Sequence, residues 1–202
     1  MCIRDRHLSS NSLTHTFWNN QNVFKFTNSF SAFSSPIDVA ISKIDDEIWN
    51  STDHESLAIP IERFSKSHRT AQKELLFFSG YSGEKSQFLY DHICTTATPY
   101  LTKEMTLPMT VPEVDRTHHF ALHYNPEQST SVDGTSSLPD PHGFSGSLVW
   151  DTKFISCRQK GKEWRPELAE ITGIVWGWPS ASACILATKV EHLKIAELKG
   201  II

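Results

Sequence analysis

The feature that most constrains this chain is how often it is interrupted. Short apolar or alternating runs recur along it, and Gly, Pro, Ser, Asn or Asp closes nearly every one within a few residues. The runs at 23–26, 75–78, 119–124, 148–150, 170–176 and 184–187 are too short for a stable helix and too apolar for loop, so they read as strands. Ile37, Val39 and Ile41 alternate with Asp38, Ala40 and Ser42, and Ile44 nearly keeps the period, as in a half-buried strand. Further strands are expected at 88–98 and near 154–157. The segment 75–78 is expected to end in the turn Ser79-Gly80-Tyr81-Ser82-Gly83. Residues 46–74 are polar and irregular, with a short extended piece at 59–61. Only at 188–198 does the pattern change: Val190, Leu193 and Ala196 share a helical face among good helix formers, which predicts a C-terminal helix. Many short strands with one terminal helix imply an all-β barrel or sandwich.

Composition narrows the function class. With 39% hydrophobic and 21% charged residues among 202, the chain has the make-up of an ordinary globular protein. A net charge of −4 lacks the basic face that nucleic acid requires, and no apolar run approaches a membrane span, so neither partner is expected. Cys2, Cys94, Cys157 and Cys184 are far apart, without a Cys-x-x-Cys pair. That argues against a zinc ribbon or a disulfide scaffold and leaves two readings of Cys157 and Cys184, a bridge or isolated buried thiols. Met1-Cys2-Ile3-Arg4-Asp5-Arg6 has no apolar core of the kind a signal peptide needs. It resembles the translated sequencing-adapter hexapeptide at the edges of metagenome-derived genes. On that reading residues 1–6 are not native, the true start is missing, and localisation stays open.

The chemistry concentrates at Pro141-His142-Gly143-Phe144-Ser145-Gly146-Ser147, just ahead of the strand at 148–150. A serine between glycines suits a nucleophile. Glycine lacks a Cβ and tolerates unusual backbone angles, so the chain can turn sharply beside a substrate carbonyl with its N–H groups facing a developing oxyanion. A serine hydroxyl also needs a base, commonly a histidine held by a carboxylate.

This serine turn, with Gly173-Ile174-Val175-Trp176-Gly177 downstream, resembles the active-site serine region of trypsin-like (chymotrypsin-fold) serine peptidases of bacterial type. Asp38-Val39-Ala40-Ile41 resembles their Asp-Val/Ile-Ala strand, Gly80-Tyr81-Ser82-Gly83 their Gly-Tyr-Pro-Gly turn with serine for proline, and the run at 185–190 their last strand. The resemblance covers roughly residues 36–198 in short pieces. It implies a two-barrel fold: residues 7–100 as an incomplete first barrel and crossing segment, residues 101–202 as a second barrel with the C-terminal helix. It also implies an endopeptidase acting on peptide or protein substrates through an acyl-enzyme, without a cofactor. Ser145 would be the nucleophile, Asp38 would orient the base, and the amides of Gly143 and Ser145 would form the oxyanion hole.

The chain departs from that pattern in informative ways. Phe144 stands where the animal digestive enzymes have an aspartate, so activation by a freed N-terminus is not expected; Ser147 replaces a usual glycine. Trp176 and Trp178 fall near the pocket entrance, and Asp140 near its expected floor hints at basic substrates. The family's Thr-Ala-x-His segment is missing. Only His7 and His15 precede Asp38, so the base is a divergent His15, a histidine lost with the missing start, or absent altogether; the second is favoured. The alternative function is a catalytically inactive peptidase-fold binding module, and a third is a structural β-domain in which 143–147 is only a turn.

Two other constellations carry less. In a strand, His119 and His123 would lie about 13 Å apart, too far to share zinc, so with His118 they read as part of a surface-facing strand. Ser145, Asp151 and His192 follow α/β-hydrolase order, but Ser147 breaks the Gly-x-Ser-x-Gly elbow and the alternating helices are missing.

Overall fold

The computed structural model describes residues 14–16, 23–25, 28, 30–51, 55–89, 92–129 and 137–193. Ten strands are present in this set: β1 (Thr14–Thr16), β2 (Val23–Lys25), β3 (Ser31–Phe33), β4 (Val39–Ile41), β5 (Leu75–Leu89), β6 (His92–Met105), β7 (His119–His123), β8 (Leu148–Asp151), β9 (Glu170–Gly177) and β10 (Cys184–Lys189). Two short helices join them, α1 (Asp46–Ser51) and α2 (Phe154–Gln159). The class is all-β. Six strands close an antiparallel barrel in the order β10-β7-β6-β5-β8-β9, while β1–β2 and β3–β4 form separate two-stranded ribbons. The boundary expected between residues 100 and 101 falls inside β6, and the barrel draws its first strand from Leu75 onward.

Alternation explains the barrel. On β5, Leu76 and Phe78 are fully buried while the alternating Leu75 and Phe77 are only half-buried. Leu76, Leu122, Val149, Val175 and Ile185 fill the interior together with four aromatic rings, Phe78, Phe120, Tyr124 and Phe144. A second cluster joins Val39 of β4 to Val190 and Leu193. The Thr188 hydroxyl donates to the Ile37 carbonyl at 3.1 Å, so the segment before β4 is tied to the barrel.

Several expectations need correction. The run near 154–157 is not a strand but helix α2, and the cause lies far away in sequence. Glu74 accepts the N–H groups of Ile155 at 2.8 Å and Ser156 at 3.0 Å, supplying acceptors to the orphan donors of a helix start. No local pattern announces a cap from so distant a residue. Strand β5 does not stop at Ser79; it runs on to Leu89, with Ser82, Gly83, Glu84 and Lys85 opposite Thr96 alone as a bulge. The segment at 119–123 is not surface-facing either: its first four residues, His119 included, are buried. The expected terminal helix gives way to strand β10 through Lys189 and one 3₁₀ turn, Val190–Leu193; residues 194–198 lie outside the described set. Cys157 and Cys184 are unbridged buried thiols, and burial pushes the Cys184 thiol up to about 11. Among the described residues no helix is long and apolar enough to cross a membrane.

Glu74 also sets an acid dependence. Burial alone would push its carboxyl up, but the N–H groups of Ile155, Ser156 and Leu75 and the Ser156 hydroxyl outweigh it and hold the carboxyl below the usual range. A carboxyl lowered on folding contributes stability above its unfolded value and loses it as pH falls through the folded one. Glu74→Gln, which keeps one acceptor oxygen and turns an NH₂ toward N–H donors, is therefore expected to cost about 1–3 kcal/mol at neutral pH. The gap to wild type should narrow between about pH 5 and pH 3. Urea midpoints measured across that range check it; a gap that widens in acid would overturn it.

Candidate active site

The serine turn is built from the core outward. Phe144, next to the serine, is fully buried, and its ring meets Phe78 edge-on with centroids 5.6 Å apart and Tyr124 likewise at 5.8 Å. Gly80 makes room for it: a Cβ there would stand 2.5 Å from Phe144 Cδ1. The backbone around this anchor is tightly bent. Phe144 N–H donates to Pro141 O at 2.9 Å and Ser147 N–H to Phe144 O at 3.0 Å, while Gly143 and Gly146 hold φ of 102° and 89°. A Cβ on Gly143 would also lie 2.5 Å from Tyr81 O. Gly146 N–H donates to Val175 O at 2.8 Å, fixing the turn to β9. Among the described residues the N–H groups of Gly143 and Ser145 donate to no backbone carbonyl.

The β5 bulge braces the loop leading into this turn. The buried Ser82 hydroxyl donates to Asp140 O at 2.7 Å, Gly83 N–H to His142 O at 2.9 Å, and Asp140 N–H to Glu84 Oε2 at 2.9 Å. Tyr124 OH adds a bond to Pro139 O at 2.6 Å. Proline at position 82, as in the motif this turn resembles, could supply none of the hydroxyl's contacts.

Asp38 comes to the same place from the other half of the chain. It has φ 49°, immediately before β4, and lines with Gly143, Ser145, His142, Trp176 and Trp178 a cleft of about 320 Å³. Buried His119 fixes that approach. Asp115 N–H donates to its Nδ1 at 3.0 Å, so the ring proton is on Nε2 and is donated to Pro36 O at 2.7 Å. Burial, ahead of the neighbouring charges, holds this imidazole below its ordinary value, consistent with a neutral ring.

Comparison with known proteins found no matching family model, curated protein or solved structure. The site's chemistry therefore rests on its own geometry. Ser145, Gly143 and Asp38, all singled out from sequence, share one cleft. The Ser145 hydroxyl donates to Trp176 O at 3.3 Å. His15 is in β1, and its side chain lies outside the described residues, as do His7 and residues 1–6. Asp140 does not line the cleft; it accepts His142 N–H at 2.8 Å and the ring Nδ1 of the same residue. The cleft walls add Val175 and Ile185; the indole N–H groups of Trp176 and Trp178 are buried without a hydrogen-bond partner among the described residues. Sequence reasoning missed the parts played by His142, Ser82 and Glu84. Ser82, at the proline position of the motif this turn resembles, was the one visible signal for the bracing.

Proposed function

We propose that this chain is a serine peptidase of the trypsin-like kind, hydrolysing peptide bonds through an acyl-enzyme, its closed barrel being the serine-bearing half of a two-barrel arrangement. The observation that carries this reading is the convergence on one cleft of the Ser145 hydroxyl, the undonated N–H groups of Gly143 and Ser145, and Asp38 from a distant segment. In that role Ser145 Oγ attacks the scissile carbonyl, the two amides receive the oxyanion, and the Asp38 carboxylate favours a protonated imidazole in the cleft. Apolar walls formed by Val175, Trp176, Trp178 and Ile185 suit an apolar or aromatic substrate side chain better than a basic one. Asp140, the sequence's hint of basic specificity, is occupied by His142.

A second reading, a non-catalytic peptide-binding module, is favoured by the Ser145 hydroxyl donating to Trp176 O rather than to an imidazole. A fluorophosphonate separates the two. The peptidase reading expects stoichiometric phosphonylation, mapped by mass spectrometry to Ser145. A chain that binds peptides yet stays unlabelled at Ser145 would overturn it.

A further inference from the structure

Resting on the serine-peptidase reading, we infer that His142, held by Asp140, is the general base of this site. The base comes from the serine's own turn rather than from the N-terminal half of the chain. Three observations converge. His142 lines the Ser145 cleft, and among the described residues no other histidine does. Its Nδ1 is engaged by the Asp140 carboxylate, which leaves Nε2 as the nitrogen with a free lone pair. The ring also stands edge-on to Trp178, which lines the same cleft, with centroids 5.3 Å apart and planes 89° to one another. A carboxylate on Nδ1 fixes the tautomer and stabilises the imidazolium, which is what a nucleophile's base requires.

His68, His119 and His192 are committed elsewhere, and His123 lies exposed at the end of β7 and does not line the cleft. Both ring nitrogens of His119 are bonded, to Pro36 O and Asp115 N–H. His68 bridges Thr172 Oγ1 at 2.8 Å and Glu104 Oε2 at 3.3 Å while stacked on Phe120. His192 Nε2 meets Thr117 O at 2.9 Å and its ring packs on His118. Asp140 is equally well placed as the orienting carboxylate: its backbone is clamped by Ser82 and Glu84, and its Oδ1 also takes the His142 N–H. The bulge that the serine turn needs for support thus positions the pair as well.

The step balances within the chain. Ser145 turns its hydroxyl from Trp176 O toward His142 Nε2, which takes the proton as the Oγ–C bond forms and the carbonyl electron pair moves to the oxygen facing the Gly143 and Ser145 amides. Collapse breaks the C–N bond, and Nε2–H protonates the departing amine. Water then attacks the acyl carbon, giving its proton to Nε2, and that proton returns to Ser145 Oγ as the acyl–oxygen bond breaks.

The test is the rate of fluorophosphonate labelling at Ser145 across pH in wild type, His142→Ala, Asp140→Asn and His15→Ala. His142 is largely exposed, so its replacement should leave the melting temperature unchanged. His142→Ala is expected to slow labelling by about 10²–10⁴-fold and abolish the rise of rate with pH, the size usual for lost general-base catalysis. Asp140→Asn should lower the rate and move the midpoint of that rise, whereas His15→Ala should match wild type. Wild-type labelling retained in His142→Ala, or lost in His15→Ala, overturns His142 as base while leaving the serine-peptidase reading intact. No labelling of Ser145 in the wild type overturns both.

Discussion

Phe144→Ala is expected to lower stability by about 3–5 kcal/mol, a large share of the roughly 5–15 kcal/mol that holds a typical domain folded. Phe144 is among the largest fully buried side chains, and its loss leaves a void bounded by Phe78 and Tyr124 rather than by solvent. Two further effects add to the cavity cost. Edge-on contacts to both rings disappear, each worth about 0.5–1.5 kcal/mol beyond burial. Gly80, whose missing Cβ makes space for the ring, then faces empty volume. The outcome is read from urea midpoints, with Phe144→Leu as the volume-sparing control, expected to lose much less. If Phe144→Ala melted within about 1 kcal/mol of wild type, the ring would not be the anchor of the serine turn.

The contrast between what the residues announced and what they concealed follows the range of the interactions. The short apolar runs at Leu75–Phe78 and Cys184–Ala187 made strands visible because such a run is a local property of the sequence. Ser145 and Gly143 were legible for a similar reason, since a sharp turn leaves its glycines in the chain. The start of helix α2 was hidden because Glu74, its cap, joins it only through the fold. The continuation of β5 past Gly80 was hidden because a bulge keeps the turn-like composition while β6 keeps the pairing. That residues 188–189 extend a strand rather than open the expected helix has the same origin. Lys189 alone is a good helix former, but pairing of Thr188 with His119 and Ile174, and of Lys189 with Gly173, captures both for β10. His142 was passed over because a histidine beside a serine turn has no periodic signature; only the cleft shows that it and Ser145 share a space.

Gly143→Ala is expected to slow labelling of Ser145 by about 10²–10³-fold, the size typical of losing one oxyanion donor, and to cost about 1–3 kcal/mol of stability. Both effects come from the same atom. With φ at 102°, the residue lies where an L side chain is strained, and its Cβ would stand 2.5 Å from Tyr81 O, a backbone atom that cannot step aside cheaply. Relief requires the peptide to rotate, and rotation swings the Gly143 N–H away from the cleft. Ser82 and Glu84 hold the preceding loop, so the strain must be released at the turn itself. Gly83→Ala is the matched control: its Cβ would meet only His142 O, at an ordinary 3.8 Å, while Gly83 N–H keeps its bond to that oxygen. It should label at close to the wild-type rate. Equal rates for Gly143→Ala and Gly83→Ala would remove Gly143 from the oxyanion site, since only one of the two substitutions disturbs the N–H assigned to it.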